Sequence, residues 1–550
     1  MLRLRSLVLI LSSLPLFAQT PAALNDFRAE AIRAHVKFLS SDLLEGRGPG
    51  TRGDELTTSY IATQFEAMGL QPAGDDGTYF QKVSLLGLTT DGDKSRLGFT
   101  KNGANVLGPL KYRDEFAGGN QTQVPATDVD SDVVFVGHGV VAPEYKWDDY
   151  KGLDVRGKTL VMLVDDPPAS DKEPDLFRGR ARTYYGRWTY KFEIAAAKGA
   201  AAAILIHTDA AAGYGWAVVR NSWSGEQAYV KNAPGEHALA FAGWITSAKA
   251  EELFKTVGRD LAAMTKAASS RDFKPVPLGV KLSGHVASTI RPFDTSNVVA
   301  KIEGSDPKLK EQAVLYTAHH DHIGIGTPDP KDPTDSIYNG AIDNASGVGT
   351  ILEIARVWSE SKEKPKRSLL FALVAAEEQG LLGSEYFGQK PPIPAGRIAL
   401  NLNLDALYLF GQVESVTMIG VDRMTFYPNA QKVTKAMGLT IVPDQAPEQG
   451  SYYRSDHFSM AKVGVPALSI KQGAEIKGKP PEWGRAQVKK YRDNDYHQAS
   501  DEFDPAWDFG AAVQMGQLAY WLGAEAANAA ELPNWLDGEE FKAVRDKSLR

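Results

Sequence analysis

The chain predicts an α/β fold, a mixed and mostly parallel sheet flanked by helices, with a β-rich module inserted ahead of it, and two observations carry that prediction. From Ser296 onward, short runs at 314–317, 369–375, 400–404 and 466–470 alternate with helical stretches such as 347–359 and 510–527. The runs are apolar almost without interruption, as strands covered on both faces are. Behind three of them stand His319 with Asp321, Glu377 with Glu378, and Asp405. The carboxyl ends of strands are where open α/β sheets bind their ligands.

The remaining elements follow in chain order. Residues 1–18 (MLRLRSLVLILSSLPLFA) place Arg3 and Arg5 before an apolar stretch that ends on the small Ala18. That pattern predicts a secretory signal peptide and an exported chain, periplasmic or secreted. Ser12, Ser13 and Pro15 interrupt a run shorter than the roughly 20 apolar residues a membrane span needs, so no stable membrane insertion is expected. There are no cysteines, hence no disulfides to support an exported fold. Residues 24–118 read as helical and then mixed, with helices at 34–39 and 55–68 on either side of the glycine-rich 46–53. Residues 119–290 read as a separate β-rich module in which His138, His207 and His237 occur singly, as packed or surface residues. The domain with the acidic motifs spans 291–530, and the charged residues of 531–550 read as a solvated tail. The net charge of −7 argues against nucleic acid as a partner.

The chemistry lies in five segments: TAHHDHIG (317–324), NGAIDNASGVG (339–349), AAEEQGLLGS (375–384), NLNLDA (401–406) and YHQASD (496–501). One acid at a strand end is ordinarily a cap. Three strand ends carrying His-x-Asp, Glu-Glu and Asp are hard to explain structurally, because clustered carboxylates repel and resist burial unless a cation compensates them. In the adjacent pair Glu377 and Glu378, one carboxylate can bind metal while the other accepts a proton from water.

This ordered set resembles the co-catalytic zinc exopeptidases of metallopeptidase family 28, which include bacterial aminopeptidases, glutamate carboxypeptidase and, more distantly, glutaminyl cyclases. The resemblance covers roughly residues 296–527 and implies the zinc exopeptidase fold with two zinc ions (Zn2+) per chain. By resemblance His319 and Asp405 hold one ion, Glu378 and His497 the other, and Asp343 bridges both. Asp321 would orient His319, Glu377 would be the general acid/base, and Tyr496 would hydrogen-bond the oxyanion. His320 and His322 are the rival ligands in their cluster, while Asp456 and His457 are expected to be pocket residues. The implied activity is that of an exported aminopeptidase acting on peptide substrates through a metal-bridged hydroxide. A carboxypeptidase, which Arg454 would favour if it faced the site, a one-zinc glutaminyl cyclase and a receptor-like relative without activity are the alternatives. In the middle region DVVFVGHGVV, RGKTLVMLVD and KGAAAAILIH resemble the protease-associated domain inserted in many of these peptidases. SDLLEGRGPGTRG (41–53) resembles the leader of secreted members, and no role for it follows from its residues.

Overall fold

The computed structural model describes residues 20–328 and 332–550, so the expected signal peptide at 1–18 lies outside the described residues. Its main sheet is built on four neighbouring parallel strands, Ser368–Val374, Ala313–His319, Ile398–Leu404 and Ala467–Gln472. The first three are buried along their whole length, which accounts for their uninterrupted apolar character. Antiparallel neighbours close both sides: Val276–Ile302 beyond Ser368–Val374, and Ser415–Ile419 beyond Ala467–Gln472. Helix Ser346–Glu360 packs against Ala29–Leu39 and Gly510–Asn528, so the first and last parts of the domain share one core.

Register sets the site. Thr317 is level with both Ala372 and Asn403, and His319 with Val374. Two residues past the Thr317–Asn403 pair, His319 and Asp405 leave their strands side by side. The apolar run of Ile398–Leu404 is broken by Asn401 and Asn403, and their amides are spent inside the sheet. Asn401 donates to Thr317 Oγ1 (3.0 Å), Thr317 to Asn403 Oδ1 (2.7 Å), Asn403 to Ser455 Oγ (2.8 Å), and Ser455 to Asp405 Oδ2 (2.6 Å).

A second sheet with its own apolar core precedes this domain. It takes in Ala126–Phe135, Thr159–Leu163, Ala202–His207 and Phe241–Thr246, and also Arg96–Lys101, Ala104–Leu107 and Phe116–Gly119. The β-rich unit therefore starts before residue 119. Its far edge is no break either, because Val276–Ile302 is one continuous 27-residue strand. This strand pairs first with Ala126–Phe135, next with Phe80–Thr90 and last with Ser368–Val374, crossing residue 290 without interruption. Composition does not mark a boundary that runs through the middle of a strand.

The expected solvated tail at 531–550 is docked instead. Trp535 and Phe541 are buried, and Trp535 Nε1 donates to Gly464 O at 3.0 Å. Arg423 binds Glu539 and Glu540 at 2.7 Å each, and helix Lys542–Ser548 buries Arg545. Two of the charges that suggest solvation, Glu539 and Glu540, are the partners of the buried Arg423.

Gly53, on helix Arg52–Ala67, tests how tightly the 41–53 segment folds on itself: a Cβ there would lie 1.8 Å from Leu44 O. Gly53→Ala is expected to destabilise the chain by about 1–3 kcal/mol, seen as a lower midpoint in urea unfolding.

Candidate metal centre

Donor atoms from all five segments meet at the carboxyl ends of the parallel strands. Asp343 sits in the loop that leads into helix Ser346–Glu360, beyond Gly340 (φ +55), whose missing Cβ leaves room for the His322 ring. The Asp343–Asn344 peptide is cis. Asp501 fixes this loop: its carboxylate accepts the N–H groups of Ile342 and Asp343, both at 3.0 Å, and its carbonyl accepts that of Ala341 at 2.9 Å.

The two oxygens of Asp343 face different imidazoles, Oδ1 lying 3.2 Å from His319 Nε2 and Oδ2 3.2 Å from His497 Nε2. His319 Nε2 is also 3.6 Å from Asp405 Oδ1, and His497 Nε2 is 3.1 Å from Glu378 Oε2. His319, Asp343 and Asp405 offer donor atoms all within 4.8 Å of one another. His497 is the outermost member, with its side chain 35% exposed.

The remaining sequence-predicted residues take distinct places. The Asp321 carboxylate accepts the backbone N–H groups of Glu377 (3.1 Å) and Glu378 (3.3 Å), while His319 Nδ1 is 3.8 Å from it and 3.3 Å from the Asp321 carbonyl. Asp321 thus ties the first strand end to the second. Glu377 has donor atoms within 4.8 Å of those of His319 and Glu378. Tyr496 stacks on His497 with ring centroids 3.9 Å apart. His320 turns the other way, to Ser296 O (3.1 Å) and Asp54 (3.9 Å). His322 does join the cluster, its Nδ1 2.7 Å from Glu378 Oε1. His457 packs edge-on to Tyr452, and Asp456 is buried with neither carboxylate oxygen hydrogen-bonded.

Electrostatics follow from so many carboxylates in so little water. Burial opposes the charged form of His319, but Glu377, Asp343 and Asp405 outweigh it and raise its pKa well above the usual range. For His497 burial is likewise outweighed, by Asp343 and Glu378, and its pKa rises to about 10. Burial pushes the Glu377 carboxyl well up, reinforced by Glu378, Asp456 and Asp405. Burial, then Asp343, Glu378, Asp405 and Glu377, raise the pKa of the Tyr496 phenol and keep it protonated as a donor.

Residues 297–521 match Peptidase family M28. That segment belongs to this family. Leupeptin-inactivating enzyme 1 of Streptomyces exfoliatus is 25% identical over 273 residues, 48% of this chain and 56% of that protein. A probable zinc metalloprotease of Pyrenophora teres f. teres (strain 0-1) is 32% identical over 126 residues, 23% of this chain and 25% of that protein. The chain therefore spans little more than half the length of the first relative and a quarter of the second. An aminopeptidase from Aneurinibacillus sp. strain AM-1 of known structure aligns with a TM-score of 0.44 and 20% identity, over 93% of this chain and 96% of that one.

One residue upstream of the M28 segment holds its loops and was invisible as a site residue in the sequence. Arg47, in the glycine-rich 46–53, is fully buried and donates to the carbonyls of His320 (2.8 Å), Leu39 (2.5 Å), Asn339 (2.6 Å) and Gly340 (3.0 Å). It clamps the His319 and Asp343 loops together. Burial lowers its pKa to about 10, opposed by Asp321, Asp501, Asp343 and Glu378, so it remains a cation facing the acidic cluster. The glycine-rich sequence fits that role, because Gly46 (φ +69) passes where a Cβ would strike Gly324 O and Tyr338 O. Arg47→Met leaves buried carbonyls unpaired at about 1–3 kcal/mol each. It is expected to lower the melting temperature and to weaken zinc retention on dialysis, measured by calorimetry and metal analysis.

Proposed function

We propose that the chain is an exported di-zinc aminopeptidase that hydrolyses N-terminal residues from peptides. The observation that carries the reading is the placement of Asp343 between two imidazoles, one carboxylate oxygen toward each. The donor set fits zinc, since His and carboxylate ligands suit that ion and each group leaves positions open. A further sign of fit is Asp343 Oδ1, which is buried without a hydrogen-bond partner although His319 Nε2 is 3.2 Å away. Donors that face one another without bonding are arranged for something between them. His319 and Asp405 would hold one ion, His497 and Glu378 the other, and Asp343 both. Bound there, zinc would lower the pKa of a shared water and polarise the scissile carbonyl.

The protein's own groups perform the rest. Glu377 takes a proton from the attacking water at its carboxylate and returns it to the leaving amine. Asp321 holds the backbone of the Glu377–Glu378 pair, which fixes where both carboxylates point. The Tyr496 phenol, kept protonated, donates to the developing oxyanion. We read the direction of trimming from Asp456, whose buried carboxylate has no hydrogen-bond partner and favours a substrate that presents its α-ammonium group. The β-rich unit, which begins before residue 119 and shares the strand Val276–Ile302 with the main sheet, is read as a protease-associated domain that shapes access. Export rests on the pattern of residues 1–18; no helix of the described residues is long and apolar enough to cross a membrane.

Glu377→Gln is expected to lower kcat by roughly 10²–10⁴-fold while metal analysis still finds about two zinc ions per chain; full activity would remove Glu377 from the mechanism. His319→Ala is expected to lose about one ion per chain, and unchanged zinc content would shift the ligand role to His322.

A further inference from the structure

The insert has a cleft of its own at the carboxyl ends of parallel strands. Three neighbouring strands, Ala126–Phe135, Thr159–Leu163 and Ala202–His207, run parallel. The loops that leave them and helix Leu261–Ala268 border a cleft of about 270 Å³. His138, Asp165 and Thr208 line it, one from behind each strand in turn. Open α/β sheets bind their ligands at that end.

The lining combines apolar surface, from Leu163, Ile206 and Leu261, with hydrogen-bond acceptors that lack donors. His138 Nδ1 is 3.0 Å from the carbonyl of Asp165, which can only accept, so the hydrogen of the neutral ring is on Nδ1 and Nε2 keeps a lone pair. Burial, then Lys191, lowers the His138 pKa to about 3, which keeps the ring neutral. His138 is 6% exposed, and its Nε2 is buried without a hydrogen-bond partner. Asp165 Oδ1 accepts the Asp166 N–H at 3.0 Å and lies 3.3 Å from Arg182 Nε, whereas Oδ2 accepts no hydrogen bond among the described residues. Asp166, also in the lining, spends its two oxygens on Thr183. No lysine or arginine among the described residues lines the cleft. Lys191 is fully buried and donates to the carbonyls of His138 (2.6 Å) and Asp165 (3.2 Å), tying the first two loops together. A lone pair withdrawn from water with no donor is costly. A ligand that brings N–H groups on an aliphatic body would remove that cost.

We propose that the cleft binds a small aliphatic amine, its ammonium group donating to His138 Nε2 beside the Asp165 carboxylate and its carbon chain lying against Leu163, Ile206 and Leu261. Free amino acids and the amino ends of peptides both carry that chemistry. The site shares no residue with the metal centre, so it does not depend on the peptidase reading.

The test is calorimetric titration of the full-length, zinc-loaded protein with isoamylamine. Wild type should bind it, and isovalerate, a similar chain ending in a carboxylate, should not compete. His138→Phe and Asp165→Asn should each weaken binding by roughly tenfold to a hundredfold. Asparagine suits the backbone there, where φ is +79. Thr265→Trp, which fills the cleft from a half-buried position on helix Leu261–Ala268, should abolish binding without touching either acceptor. A crystal soaked in 3-bromopropylamine should show an anomalous peak in the cleft beside His138. Leucine and a leucyl-glycine analogue with a reduced peptide bond, titrated in turn, identify the source by which of them binds and is lost in Thr265→Trp. Absence of isoamylamine binding, equal binding of isovalerate, or binding that survives all three substitutions, as an amine held only at the metal centre would, overturns the proposal.

Discussion

Carboxylates brought together out of water repel, and the arrangement of this domain answers that constraint. Asp321, Asp343, Glu377, Glu378, Asp405 and Asp456 crowd one end of the sheet, and no local preference of the chain would gather them. Rigid supports therefore hold them from behind. Three acids stand just past parallel strands in fixed register, Asp501 grips the Asp343 loop through its backbone, and Asp321 uses its own carboxylate to hold the next pair. Arg47 adds a buried positive charge and ties two ligand loops by their carbonyls. The supports reach the acids chiefly through backbone, leaving carboxylate oxygens directed at the centre.

Much of this was legible in the sequence, for physical reasons that also explain the gaps. Strands buried on both faces leave an apolar signature, and acids directly behind such strands stand out, which is how His319, Glu377, Glu378 and Asp405 were found. His320 and His319 separate because adjacent residues of a strand point to opposite faces. Arg47 was not legible, since it acts on backbone carbonyls that any residue could supply, some of them 273 to 293 positions away. Asp501 lay within a motif already singled out, yet its function is also to bind N–H groups and leaves no partner pattern. The docking of the tail leaves little trace in the sequence, because Trp535 and Phe541 are sparse among charges and only the folded chain brings Arg423 to Glu539 and Glu540.

The insert is joined to the catalytic sheet by covalent and hydrogen-bonded continuity. Val276–Ile302 serves both sheets in turn, so the insert hangs from a strand whose other end abuts Ser368–Val374, the strand that delivers Glu377 and Glu378. Elsewhere the segment around the Tyr184–Gly186 turn meets residues 447–453. The insert thus touches the M28 domain both along the shared strand and through side chains such as Glu193, which pairs with Lys462 at 2.9 Å.

The chain of donors from Asn401 through Thr317, Asn403 and Ser455 has a direction. Every link passes its hydrogen the same way, so neither amide can rotate by half a turn without setting two hydrogens, or two lone pairs, against each other. The sheet's interior is therefore polarised toward one oxygen of Asp405. Its Oδ2 always receives a hydrogen, and Oδ1 alone remains to face His319.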